Sequence, residues 1–189
     1  MPEPAIRGRF AQLRPITATD LPQLYALSVY YGNQGVWRLH GLIPRENEFV
    51  EQLWREVLCQ FAVADVATNQ VRGLVVAYRP DFRNGHVWFG ALIDSEQERS
   101  LTVEAIPMFL RHVFKCFPMR KIYWEAAAYV VEQYAFGAER IFEVEGRLKD
   151  HFYWDGKYHD WIYMSLSRER WDELAFPDLA AGDQPDQSS

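Results

Sequence analysis

Apolar and polar positions alternate along this chain with a period that switches between two and about 3.6 residues, and each switch marks a predicted element. Phe10–Ile16 reads as a first strand, stopped by Thr17-Ala-Thr-Asp20, whose short polar side chains suit a helix N-cap. A helix follows over Leu21–Tyr31, with Leu21, Leu24, Tyr25 and Ser28 on one side, and Gly32, Asn33 and Gly35 end it. Pro44 opens a second predicted helix through Gln60, with Phe49, Leu53, Trp54, Val57 and Leu58 as its apolar stripe. Phe61–Ala67 and Val71–Tyr78 form a predicted hairpin across Thr68-Asn69-Gln70, and Arg83-Asn-Gly85 turns the chain into a strand at His86–Ile93. After Ser100, the residues Leu101, Ala105, Met108, Phe109, Val113 and Cys116 share one helical face, with Pro107 predicting a bend or a late start. Lys121–Ala127 alternates as a strand, Val130–Arg140 follows as a helix, and Phe142–Trp154, Asp155-Gly156 and Tyr158–Leu166 make a last hairpin.

The resulting order, β-α-α-β-β-β-α-β-α-β-β, predicts an α/β fold of the α+β kind: a mixed, mostly antiparallel sheet with helices on both faces. The helix after His86–Ile93 is a crossover, so its flanking strands run parallel at one point, and where such strands splay a ligand can enter the sheet. The same junction gathers unpaired N–H groups and the positive end of a helix dipole, a natural seat for a phosphate. No glycine lies between Gly90 and Gly137, so the loop lacks the residue that lets a backbone approach pyrophosphate closely.

Composition narrows the function. The length fits one domain, expected over residues 10–171, with a flexible N-terminus over 1–9 and a polar, acidic tail over 172–189 expected to be disordered. A formal charge of −6 argues against nonspecific nucleic-acid binding. Cys59 and Cys116 stand far apart and read as two buried thiols of a cytoplasmic protein; no secretory leader or membrane-spanning run is seen. The five histidines, His40, His86, His112, His151 and His159, show no paired ligand spacing, so no metal is expected.

With Leu13-Arg-Pro-Ile-Thr-Ala-Thr-Asp-Leu21, Arg83-Asn-Gly-His-Val-Trp-Phe-Gly90, Ile93-Asp94, Glu145-Gly-Arg-Leu148, Trp154-Asp-Gly-Lys-Tyr-His-Asp160, Met164 and Arg168-Glu-Arg-Trp171, the chain resembles the Gcn5-related N-acetyltransferase superfamily, and within it the group like the ribosomal-protein alanine acetyltransferases. The resemblance implies a thioester donor, acetyl-CoA or another acyl thioester, between the His86–Ile93 and Lys121–Ala128 strands, with Leu92 and Ile93 among the donor-binding residues. It implies pyrophosphate at the Glu98–Val103 turn, served by Arg99, Ser100, Thr102 and Val103. An amine acceptor, a small molecule or a protein, attacks from the other side; direct attack needs a neutral amine, a polarised thioester oxygen and a proton source for the thiolate.

Glu125 and His86 are the candidate bases, and Tyr134, one turn before the position of the family tyrosine, is the candidate acid. Trp88 stands where relatives often carry a glutamate, so an acceptor with an apolar or flat surface is expected, and Tyr158 is a second acceptor-facing candidate. The loop Gln97-Glu-Arg-Ser-Leu-Thr-Val103 departs from the family's basic, glycine-rich pattern. Three readings stay open: transfer from an acyl-CoA, transfer from a carrier protein or an aminoacyl-tRNA, and a non-catalytic relative that binds a ligand or protein. A homodimer is compatible with each.

Overall fold

The computed structural model of the chain describes residues 6–30, 33, 37–94 and 99–174, with backbone only at residue 99 and over 133–139. Eight strands form one sheet: β1 (Ile6–Arg7), β2 (Ala11–Arg14), β3 (Val57–Asp65), β4 (Val71–Asp81), β5 (His86–Ile93), β6 (Lys121–Ala127), β7 (Glu143–Trp154) and β8 (Lys157–Ser167). Their order is β1-β2-β3-β4-β5-β6-β8-β7, and only β5 and β6 run parallel. The described helices are α1 (Leu21–Val29), α2 (Glu46–Leu53), α3 (Arg99–Cys116), α4 (Ala128–Ile141) and α5 (Arg168–Glu173). The mixed, mostly antiparallel sheet with helices on both faces is as expected.

Alternation on the central strands supplies two cores. One face joins Leu13, Val63, Val75, Val87, Phe89 and Ile122 to Leu101, Ala105, Met108, Phe109 and Val113 of α3. The other sets Leu74, Val76 and Leu92 against Leu24 and Leu27 of α1 and Phe49 and Leu53 of α2. Because β4 is covered on both sides, its run Leu74–Tyr78 is apolar without a break.

Several boundaries differ from the sequence reading. Ile6–Arg7 lies in the stretch expected to be flexible, yet it pairs with Gln12–Leu13, and Glu104 of α3 accepts the N–H groups of Arg9, Phe10 and Ala11 at 2.6–2.7 Å. The second helix stops at Leu53 instead of Gln60: Glu56 takes a positive φ of 56°, and Val57 starts β3 opposite Tyr78. Trp54 is therefore 54% exposed, and Val57 and Leu58 belong to the sheet. Helix α3 runs through Pro107 from Arg99, so the proline delays nothing. Cys116 is exposed, against the expected buried thiol, while burial pushes the Cys59 thiol up to about 12. At the end of the chain α5 reaches Glu173, past the expected domain limit at 171, and Leu174 packs against the core. The expected tail beyond Leu174 lies outside the described residues.

Two polar devices fix the frame. Arg14, 7% exposed, and Asp20, 4% exposed, form a bidentate pair at 2.7 and 2.9 Å, and Asp20 also accepts the Thr17 N–H and hydroxyl. Burial alone would raise the Asp20 carboxyl; the bonds from Arg14 and Thr17 outweigh it and hold the group below the usual carboxylate range. At the other end Arg168 donates to the carbonyls of Phe114, Phe117 and Met119, capping the C-terminal turn of α3. Gly73 acts between strands, since a side chain there would run into the Leu92 carbonyl and the Ile93 Cα of β5.

Removing one partner of a buried pair strands the other charge, so Arg14→Ala should cost about 3–5 kcal/mol in urea unfolding at pH 7. Because folding lowers the Asp20 pKa, its contribution is present above the unfolded carboxylate value of about 4 and is lost as pH falls through the lower folded value. The gap between wild type and variant should therefore narrow on acidification. Gly73→Ala should lower stability by about 1–3 kcal/mol through backbone overpacking, read by the same unfolding curves.

Candidate active site

The site begins where the parallel ladder stops. β5 and β6 pair only through His86–Lys121, Val87–Ile122 and Trp88–Tyr123. Phe89–Ile93 keeps its pairing to β4, and Trp124–Ala127 keeps its pairing to β8, but the two strands no longer meet. The expected opening between these strands is present.

Backbone direction within it follows from the anchoring bonds. Asp94 donates to the Arg72 carbonyl on β4, so alternation turns the polar groups of Leu92 and Gly90 the same way. Lys121 donates to the Gly85 carbonyl, which turns those of Val87 and the odd-numbered residues after it toward β6. Past the last pair, Phe89, Ala91 and Ile93 on one side and Glu125 on the other aim N–H and C=O groups at each other across a gap with no ladder, while the Ala127 carbonyl serves the first turn of α4. Of the two expected donor-binding residues on β5, Ile93 turns its backbone groups to the gap and Leu92 turns its own to β4. The closed end is backed by Phe142, whose ring stacks on Phe89 at 6.1 Å and lies 5.6 Å from Trp124.

Beyond the open end stands the first turn of α3. Its leading N–H groups have no acceptor within the helix. Ser100 is exposed, Val103 directs its side chain to solvent, and the Thr102 hydroxyl is buried with no partner among the described residues. The Arg99 side chain and Glu98 lie outside the described residues, as does the Tyr134 side chain on α4.

On the sheet face toward α1 and α2, side chains collect around Glu125. The register sets Tyr78, Trp88, Tyr123 and Ser165 in one row across four strands. Trp88 lies 5.1 Å from Tyr123 and 5.9 Å from Tyr163 between ring centroids. Glu125, half-buried in the next row beside Tyr163, accepts from the Trp161 indole at 3.2 Å and faces the Arg79 guanidinium at 3.9 Å. Gly90 lies across the gap, and a Cβ there would sit within 3.3–3.7 Å of Val76, Tyr78 and Trp37. Burial, then the Glu125 carboxylate, pushes the Tyr78 phenol up to about 12, and the same two causes raise Tyr163, so both hydroxyls stay protonated at neutral pH.

The structure thus brings Glu125, Trp88 and His86 to one face. His86, at the start of β5, lies 5.4 Å from the Tyr123 ring and 3.9 Å from Asp81; its Nδ1 is buried without a partner among the described residues. Tyr158 is elsewhere: it is 63% exposed at the β7–β8 turn, 5.1 Å from Tyr153, beyond the β6–β8 ladder that closes at Ala127–Trp161. Sequence reasoning missed Arg38, which lies over the Tyr78 ring, and Tyr78, Arg79, Trp161 and Tyr163. For Arg79 a signal existed, because Pro80 within an apolar strand marks a bulge: register shifts between Tyr78 and Asp81, and Arg79 takes a φ of 48°. Among the described residues no cluster of three metal-ligating side chains occurs, and no helix is long and apolar enough to cross a membrane.

No family model and no curated protein matches the chain. Solved structures do match. The spermidine N-acetyltransferase from Vibrio cholerae, in complex with CoA and spermine, aligns with a TM-score of 0.75 at 21% identity over 85% of this chain and 97% of its own. A GCN5-related N-acetyltransferase from Brucella melitensis gives 0.72 at 24% identity over 97% and 91%, and a probable acetyltransferase of the GNAT family from Chromobacterium violaceum gives 0.71 at 20% over 91% and 90%. With β5 and β6 parting as they do, the chain has the fold of the Gcn5-related N-acetyltransferases.

Proposed function

We propose that the protein is an N-acyltransferase that moves an acyl group from an acyl-CoA thioester to an amine. The observation that carries this reading is the loss of pairing between β5 and β6 after Trp88–Tyr123, with a half-buried carboxylate beside the gap. Backbone groups of Phe89, Ala91, Ile93 and Glu125 that lack a ladder partner among the described residues suit a ligand arm that carries amides, because such an arm replaces the missing ladder. A likeness to a neighbour solved with CoA and spermine supports the same chemistry.

The donor residues on this side are the first-turn amides of α3 with Ser100 and the Thr102 hydroxyl, whose lack of a described partner fits a phosphate oxygen. Arg99, the first residue of that turn, would add a cation. When bound, the thioester supplies an activated carbonyl with a thiolate leaving group. Glu125 takes the proton from the attacking amine, directly or through one water. The Trp161 indole donates to its other oxygen and fixes its rotamer. An N–H from the gap edge of β5 polarises the thioester oxygen. Tyr134 remains the proposed proton source for the thiolate, and Tyr78 and Tyr163, both protonated beside Glu125, are alternatives present on the acceptor face. His86 is set aside as base in this reading, since the β5–β6 pairing places it in the closed part of the ladder.

Calorimetric titration with acetyl-CoA should give saturable binding, weakened about tenfold by Arg99→Ala. Glu125→Gln should keep that binding while lowering kcat by about a hundredfold or more, measured by thiol release with an accepted amine. Absence of binding to acetyl-CoA and to longer acyl-CoA compounds would remove acyl-CoA as donor and turn attention to a carrier protein, an aminoacyl-tRNA or a non-catalytic role.

A further inference from the structure

Positive charge on the acceptor face is the feature the acyl-transfer reading leaves unused. Arg38 lies over the Tyr78 ring, its Cζ 4.5 Å from the centroid, and Arg79 lies over the same ring at 5.7 Å. Two guanidiniums therefore share one buried phenol on the floor of the site. Arg38 is half-buried; among the described residues it donates to the Arg55 carbonyl, at a long 3.5 Å, and no carboxylate lies within ion-pair distance of it. Burial first, and the neighbouring Arg79 with it, holds its pKa below the ordinary guanidinium value, against the opposing pull of Tyr78 and Glu56. A guanidinium held in this way gains most from an anion supplied from outside.

Arg79 is aimed at the site by the bulge in β4. Its N–H donates to the Glu56 carbonyl at 2.8 Å, both residues have positive φ, and its side chain stretches between Glu56 at 3.6 Å and Glu125 at 3.9 Å. Those separations are looser than hydrogen-bonded ion pairs, so the fork keeps donors to offer. Around the pair stand flat walls: Trp88, Tyr123 and Tyr163, with Trp37 beneath Gly90.

We propose that the acceptor is an amine that also carries a carboxylate on a flat, apolar scaffold, as an aromatic amino acid does. Arg38 and Arg79 hold its carboxylate, the aromatic walls hold its ring, and Glu125 faces its nitrogen. This rests on the acyltransferase reading for the fate of the amine, but the recognition stands apart from the chemistry. Carboxylate geometry matches a guanidinium fork, and Arg38, with no carboxylate among the described residues at ion-pair distance, disfavours a polyamine at its end of the site.

The test uses matched pairs titrated into the full chain, with and without CoA: L-phenylalanine, L-tyrosine and L-tryptophan against 2-phenylethylamine, tyramine and tryptamine, with spermidine as the polycation. At least one amino acid should bind about tenfold or more tighter than its decarboxylated partner, and spermidine more weakly than that amino acid. In Arg38→Gln that ratio should fall toward one, with Arg38→Lys between the two. Equal or tighter binding of the decarboxylated amines or of spermidine to the wild type overturns the inference, as does an unchanged ratio in a folded Arg38→Gln protein, or no amino-acid binding under either condition. Thiol release from acetyl-CoA with the same compounds reports separately: a selective binder that releases no thiol sinks the acyltransferase reading and leaves the anion site standing.

Discussion

Parallel strands need a crossover and bond with slanted geometry, and here the one parallel pair is abandoned after three residues. All parts of the site inherit their position from that parting. The closed end is pinned from several directions: the Gly85 carbonyl accepts from both Arg120 and Lys121, the Arg120 side chain holds the Asn84 carbonyl, and Phe142 stacks across Phe89. At the open end Gly73 lets β4 hold β5 close, so β5 follows β4 while β6 follows β8. The gap is thus a consequence of two stronger antiparallel ladders pulling apart a weaker parallel one.

Much of this was legible in the chain. Strict bounds came out for β5 and β6, where turn residues and alternation agree: Gly85 before His86, and polar Lys121 and Glu125 alternating with Ile122, Trp124 and Ala126. The Asp155-Gly156 hairpin followed from residues that accept positive φ, and both have it, at 49° and 77°. The misread second helix shows the limit: Trp54, Val57 and Leu58 fit a helical stripe by period, yet pairing with Tyr78 and Ala77 outweighed local preference.

The site was legible by strand and not by neighbourhood. Alternation put Glu125 opposite Trp124, but its partners come from elsewhere, Trp161 and Tyr163 from β8 and Arg79 from the bulge in β4, and only tertiary register makes them adjacent. The two cations that define the proposed acceptor, Arg38 and Arg79, sit outside any motif. Their meaning lies in sharing Tyr78, a relation that no spacing along the chain encodes.

Glu104 extends that lesson to mechanics. One carboxylate gathers three consecutive amides of the N-terminal hairpin turn, and Gly8 leaves it the room, since a Cβ there would collide with it. The outermost sheet edge is registered by a side chain from the layer above it, five residues from the start of α3. Those three bonds tie α3 to the far margin of the sheet by a route that does not pass through its centre.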